Sequence, residues 1–131
     1  MNIHTGTRST DQGLIQGKAH ETLRYRRLLG SAVKIFADVD VKHSAPLAVR
    51  PIEEEVEEIV SRGCADAVIV TGTGTGKETS LEDLKRAKQA AGAFPVFAGS
   101  GVNPSNVAAV MKFADGAIVG TFFKRDGITR N

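Results

Sequence analysis

Residues 94–124 read FPVFAGSGVNPSNVAAVMKFADGAIVGTFFK. Two short apolar runs, residues 95–98 and 116–119, flank a stretch in which Val107, Val110, Met111 and Ala114 recur at helical spacing. Each run exits on glycine: Gly99-Ser100-Gly101 after the first and Gly120-Thr121 after the second. The pattern predicts a strand, a helix opened by Asn103-Pro104 with Asn103 as its N-cap, and a second strand parallel to the first. Glycine lets backbone approach an anion closely, and a helix N-terminus favours negative charge. Gly99, Ser100, Gly101, Gly120 and Thr121 are therefore candidate phosphate ligands, against the plainer reading of two tight turns.

Working outward, the same grammar repeats. Residues 67–71 (AVIVT) read as a strand buried on both faces, and residues 33–41 (VKIFADVDV) as a longer one. Pro51 opens a helix with Glu53, Glu54 and Glu55 in its first turn and Ile52, Val56, Ile59 and Val60 as its apolar stripe; Gly63 is its expected terminator. Ser80 with Asp83 three residues on predicts another N-terminus, with Leu84, Ala87 and Ala91 facing the core and Gly92 as the stop. A further helix is expected over residues 18–29, ended by Gly30, with Arg24, Arg26 and Arg27 on a solvated face. Residues 9–17 read as a loop with helix-start character. Residues 2–6 read as the end of a strand and its exit loop.

Strands alternating with helices predict right-handed crossovers and a parallel sheet, either a small doubly wound sheet or part of a (β/α)8 barrel. Four strands cannot close a barrel. With no helix expected after the last strand, a barrel reading makes this half of one, needing a second half or a second copy.

Composition bounds the function. The 131 residues are 41% hydrophobic and 24% charged with a net charge of +2 and no Trp, which argues against a nucleic-acid partner. No apolar run reaches the ~20 residues of a membrane span, and Met1 is followed by polar residues rather than a signal peptide. The single cysteine, Cys64, suits a reducing, cytoplasmic setting, and its place before an apolar strand predicts a buried side chain.

Two further stretches carry chemistry. Asp38, Asp40 and Lys42 alternate along a strand end, with His43 next. Charges there are costly without a task, so these four are candidate catalytic groups, against a salt bridge closing the strand ends. Asp38 and Asp40 are compatible with a divalent metal, but two carboxylates define no ligand set, and no cofactor is assigned. Residues 71–79 (TGTGTGKET) fail the P-loop pattern, since Thr71 stands at the first glycine position and Glu78 follows Lys77. Thr71, Gly72, Thr75 and Gly76 are left as a candidate ligand-covering loop.

The stretches 98–102, 103–106 and 114–121 resemble the end of phosphate-binding (β/α)8 barrels such as tryptophan synthase α chains. Thr10-Asp11-Gln12-Gly13, Ala19-His20-Glu21, Arg24-Tyr25-Arg26, Phe36-Ala37-Asp38, Val41-Lys42-His43, Leu81-Glu82-Asp83-Leu84-Lys85 and Lys124-Arg125-Asp126-Gly127 together resemble the BtpA family over nearly the whole chain. The resemblance implies a TIM-type barrel of about 250 residues, of which residues 1–131 are the C-terminal half, from the end of strand four to strand eight without the final helix. It also implies one of three roles: an enzyme on a phosphorylated nucleoside or sugar, a non-catalytic factor for photosystem I or another assembly, or an inactive truncated half-barrel. The expected partners are a phosphorylated small molecule and either a second copy of the chain or the missing N-terminal half.

Overall fold

The computed structural model describes residues 3–41, 43–72 and 77–125. Lys42, and Thr75 and Gly76 of the expected loop, lie outside them. In chain order the elements are β1 (Thr7–Thr10), β2 (Gly13–Gln16), α1 (Ala19–Leu28), β3 (Phe36–Asp38), β4 (Ser44–Pro46), α2 (Ile52–Ser61), β5 (Ala67–Val70), α3 (Leu81–Ala91), β6 (Val96–Ala98), α4 (Val107–Val110) and β7 (Gly116–Ala117), followed by a 3-10 turn at Thr121–Phe123.

The four expected strands form one parallel sheet in the order β3-β5-β6-β7. Strand alternation sends Ala37, Val39, Val68, Val70, Val96 and Ala98 to one face, where they meet Val56 and Ile59 of α2 and Leu84, Ala87 and Ala91 of α3 in a single core. The two helix stripes are those expected from the sequence. Ser80 caps α3 by accepting the Asp83 N–H at 3.2 Å, and Gly92, at φ +59°, ends it. The other face carries Asp38, Ile69, Phe97 and Gly116 in one row. Phe36 lies beside Phe97, with ring centroids 5.1 Å apart. A Cβ on Gly116 would sit 2.4 Å from the Phe97 ring, so the ring occupies the space glycine leaves.

The N-terminal edge of this sheet repeats one device. Asp66, just before β5, accepts the Ile35 N–H at 2.9 Å and pairs with Lys34 and Arg26. Asp115, just before β7, accepts the Val96 N–H at 2.8 Å and pairs with Lys88. Both carboxyls are held below the ordinary range, Asp66 mainly by the Ile35 N–H and Asp115 mainly by Lys88. A lowered folded-state value means stabilisation that is complete above the unfolded value and lost as pH falls through the folded one. Urea midpoints should therefore drop as pH falls below about 4, and the drop should be shallower in the Asp66→Asn, Asp115→Asn double variant. An equally steep acid limb in that variant would rule these two carboxylates out as its origin.

Four local expectations are corrected. Residues 9–17 are not a loop with helix-start character. Most of that stretch is a β-hairpin, β1 pairing β2 around Asp11-Gln12, with β4 added on the other edge of β1. The only buried residue of β1 is Arg8, so no apolar alternation announces the strand. Cys64 is exposed, not buried. It stands at φ +49° just past α2, and the left-handed turn falls there rather than at Gly63. Gly63 is glycine for another reason: a Cβ would lie 2.5 Å from the Ile59 carbonyl oxygen and 3.0 Å from the His4 ring. The helix expected from Asn103-Pro104 is regular only over Val107–Val110. Asn103 still caps the turn that leads into it: its Oδ1 accepts the Ser105 N–H at 2.9 Å, its carbonyl accepts the Val107 N–H at 3.0 Å, and its N–H donates to Asn106 Oδ1 at 2.9 Å. His43 does not continue the strand: it is an exposed turn residue at φ +57°.

Candidate functional site

The candidate residues within the described range gather along the C-terminal edge of the parallel sheet. At its β3 end, Asp38 is the last strand residue and Asp40 follows two positions on. Arg8 reaches this point from the hairpin with its side chain 7% exposed. It donates to Asp40 Oδ1 at 2.7 Å, to the Val39 carbonyl at 2.8 Å and to Glu55 Oε2 at 2.6 Å. Burial pushes the Glu55 carboxyl up despite the pull of Arg8 in the other direction. Desolvation outweighs the ion pair here because Glu55 must surrender water on entering the α2–hairpin junction. Arg50 pairs with Glu58 at 2.7 Å nearby. A cleft of about 430 Å³ opens between these groups, lined by Asp38, Arg8, Arg50, Glu55 and Glu58. Asp40 faces a second opening of about 260 Å³ with Thr71 and Arg86.

At the other end, Gly99-Ser100-Gly101 and Gly120-Thr121 converge on one cleft of about 370 Å³, which Asn103 and Lys124 also line. The sequence brought these two strand exits together correctly. It did not show how much the fold itself asks of them. Ser100 is buried, and its Oγ accepts the Gly72 N–H at 2.8 Å and donates to the Lys77 carbonyl at 2.9 Å. Gly101 stands at φ +71°, and a Cβ there would lie 2.5–2.6 Å from the Lys77–Glu78 backbone. A Cβ on Gly99 would meet the Thr71 and Ile69 methyls at 2.4 and 2.6 Å, and one on Gly72 the Lys77 and Glu78 carbonyl oxygens at 2.5 and 2.6 Å. Gly120 differs: its φ is −119°, and a Cβ would meet nothing within 4 Å.

Thr71 and Gly72 join the two ends of this rim. Thr71 Oγ1 donates to the Asp40 carbonyl at 2.5 Å, and the Gly72 N–H reaches Ser100. Thr79 Oγ1 lies 3.1 Å from the Ser100 carbonyl and 3.3 Å from that of Val70. The first two residues of the expected ligand-covering loop are thus part of the rim's own hydrogen bonding. Asp38 and Asp40 do not line the glycine cleft, which lies beyond β5 and β6. Among the described residues, no three His, Cys, Asp or Glu side chains come together to hold a metal. Among them, too, no helix is long and apolar enough to cross a membrane. Sequence reasoning missed Arg8, and it read Glu55 only as a helix-dipole residue. These two lie 47 positions apart, and no local pattern connects them.

Proteins of similar sequence place this architecture. A protein from Synechocystis sp., described as photosystem I biogenesis protein BtpA, is 47% identical over 127 residues, covering 97% of this chain but 44% of its own length. An uncharacterised protein of Methanocaldococcus jannaschii is 44% identical over 131 residues, covering all of this chain and 49% of its own. An uncharacterised, mitochondrial protein of Caenorhabditis elegans is 40% identical over 123 residues, covering 92% and 44%. The chain thus spans less than half the length of these relatives. The four-stranded parallel sheet with its helices on one face is the C-terminal half of a (β/α)8 barrel. The BtpA family model matches residues 1–131 without a gap at either end, and the chain belongs to the BtpA family.

Proposed function

We propose that the chain binds the phosphate of a small phosphorylated ligand, a nucleoside or sugar phosphate, between Gly99-Ser100-Gly101 and Gly120-Thr121. The observation that carries this reading is Gly120. The other glycines of the rim are required by close backbone packing, whereas Gly120 has an ordinary φ and open space where a side chain would stand. Gly120 lines the cleft, and its missing Cβ leaves open space there. The Thr121 hydroxyl and neighbouring backbone N–H groups are the donors a phosphate oxygen needs. Asp38 and Asp40, further along the same rim, serve as general base or as ligands of a divalent ion in an enzyme acting on that ligand, with Lys42 and His43, next in the sequence, to polarise or protonate it.

The test is binding of inorganic phosphate, ribose 5-phosphate and a nucleoside monophosphate, followed by amide shifts. Shifts are expected at residues 99–101 and 120–121. Gly120→Ala should weaken binding at least about tenfold while leaving the melting temperature unchanged, because one methyl enters the cleft and strains nothing in the fold. Millimolar ligand that shifts no amide along the rim, or an unchanged affinity in Gly120→Ala, would remove the proposal.

A second reading, a non-catalytic factor for the biogenesis or stability of an assembly, draws on the description of the Synechocystis relative. Similar chains also occur in an archaeon and a nematode, so this reading is not tied to a photosystem. This reading predicts partner binding that survives Asp38→Asn and Asp40→Asn together.

A further inference from the structure

The wall of the glycine cleft differs in charge from the openings at the β3 end of the rim. Those openings are lined by arginines together with Asp38, Asp40, Glu55, Glu58 and Asp83. Among the described residues that line the glycine cleft there is no carboxylate, and the one charged side chain is Lys124. Backbone bonding fixes where that lysine stands. The Phe123 N–H donates to the Gly120 carbonyl at 3.2 Å and the Lys124 N–H to that of Thr121 at 3.1 Å, so the 3-10 turn folds residue 124 back beside the second glycine exit. Two other polar side chains of the cleft are drawn into its own frame. The Ser100 hydroxyl donates to the Lys77 carbonyl at 2.9 Å. Asn103 donates from its amide to the Gly101 carbonyl at 3.2 Å, and its side-chain oxygen accepts the Ser105 N–H.

We propose that Lys124 is the charge partner of the phosphate and makes the cleft select a terminal phosphomonoester over a phosphodiester. This role rests on the phosphate reading of the same cleft and adds to it a residue and a discrimination. Above neutral pH a monoester carries about two negative charges and a diester about one. A single cation therefore attracts the monoester about twice as strongly at equal distance. Backbone N–H groups offer only partial charges to either ligand, so a full charge is what separates the two. The lysine ammonium acts on phosphate as a point charge with three donors, a demand on position that a short turn can meet. Ile118 and Phe122 line the same cleft, and apolar surface beside an ion pair strengthens it by lowering the local dielectric. Lys124 is exposed, so water screens its charge until a ligand enters and displaces that water.

Methyl phosphate and dimethyl phosphate form a matched pair of probes, differing by one methyl group and one charge. Each should be titrated into the chain at about pH 8, above the second phosphate ionisation, with the amides of residues 99–101 and 120–121 reporting the dissociation constant. The chain should bind methyl phosphate at least about tenfold more tightly than dimethyl phosphate. Lys124→Gln should weaken methyl phosphate about tenfold and dimethyl phosphate by less, so that the preference narrows. Lys124→Arg, which keeps the charge, should keep the preference. Added salt should weaken methyl phosphate more in the chain than in Lys124→Gln. A loss of shape alone would lower both affinities together and leave their ratio and salt dependence as they were. A chain that binds both probes equally, or a preference undiminished in Lys124→Gln, would overturn this role of Lys124 while the rim amide shifts still upheld the phosphate site. Neither probe moving those amides would remove the phosphate site, and this role with it.

Discussion

Replacing Arg8 with methionine is expected to cost about 3 kcal/mol of folding stability at neutral pH. The guanidinium sits against Asp40, the Val39 carbonyl and Glu55, with almost no exposure of its own. Asp40 is 57% exposed and can return to water, but Glu55 is 14% exposed and cannot. The loss is thus mostly that of a stranded carboxylate. This gives the effect a pH signature. Glu55 already has a raised carboxyl value, chiefly from burial, and removing Arg8 takes away the largest influence opposing that rise. A group whose folded value lies above its unfolded one destabilises the fold as pH rises through that folded value, and the penalty disappears once the group is protonated. The deficit of Arg8→Met should shrink as pH is lowered toward the protonation of Glu55, and Glu55→Gln should recover part of it at pH 7. Urea denaturation at several pH values measures both. A pH-independent deficit would mean that Glu55 is not the stranded group.

Leu84→Ala should be comparably damaging, at about 2–5 kcal/mol. Leu84 is fully buried at the centre of α3, in the cluster that joins that helix to α2 and to the helix-facing side of the sheet. Native domains hold only about 5–15 kcal/mol in total, so this one truncation should bring the chain close to unfolding at ambient temperature. Leu81, one turn earlier and 41% exposed, is the control. Its replacement by alanine should cost under about 1 kcal/mol. Similar costs at the two positions would contradict a core centred on α3.

The parallel sheet could be read from the sequence because its strands are short, continuous and β-branched, and because the helices between them carry unambiguous stripes and stops. Ser80, Gly92 and the Val56–Ile59 pair each behave as their local chemistry dictates. The hairpin could not be read. Thr7–Thr10 contains no apolar residue, and the side chain it sends inward is an arginine whose burial depends on acids 32 and 47 positions away. The helix after Gly101 was overread for a related reason. Asn103, Ser105 and Asn106 bond one another through their side chains, and although the Asn103 carbonyl accepts the Val107 N–H, the helix is regular only from Val107. Cys64 was misplaced because strand proximity was taken for burial, while the reversal out of α2 turns that position outward. Within the site, positions at strand exits were legible, since strand ends follow from the apolar runs. The role of each glycine was not, because it is set by what lies across the rim.

Gly72, Gly99 and Gly101 pack against the Thr71 side chain and the Lys77–Glu78 backbone of one rim. A lineage that lost its ligand would still have to keep all three in order to fold. Glycine at these three positions is therefore a record of architecture and says little about chemistry. Gly120 is under no such obligation. In a comparison across the family it is the position at which larger residues should accumulate wherever binding has been abandoned, and a glycine maintained there would mark the lineages in which the cleft is still in use.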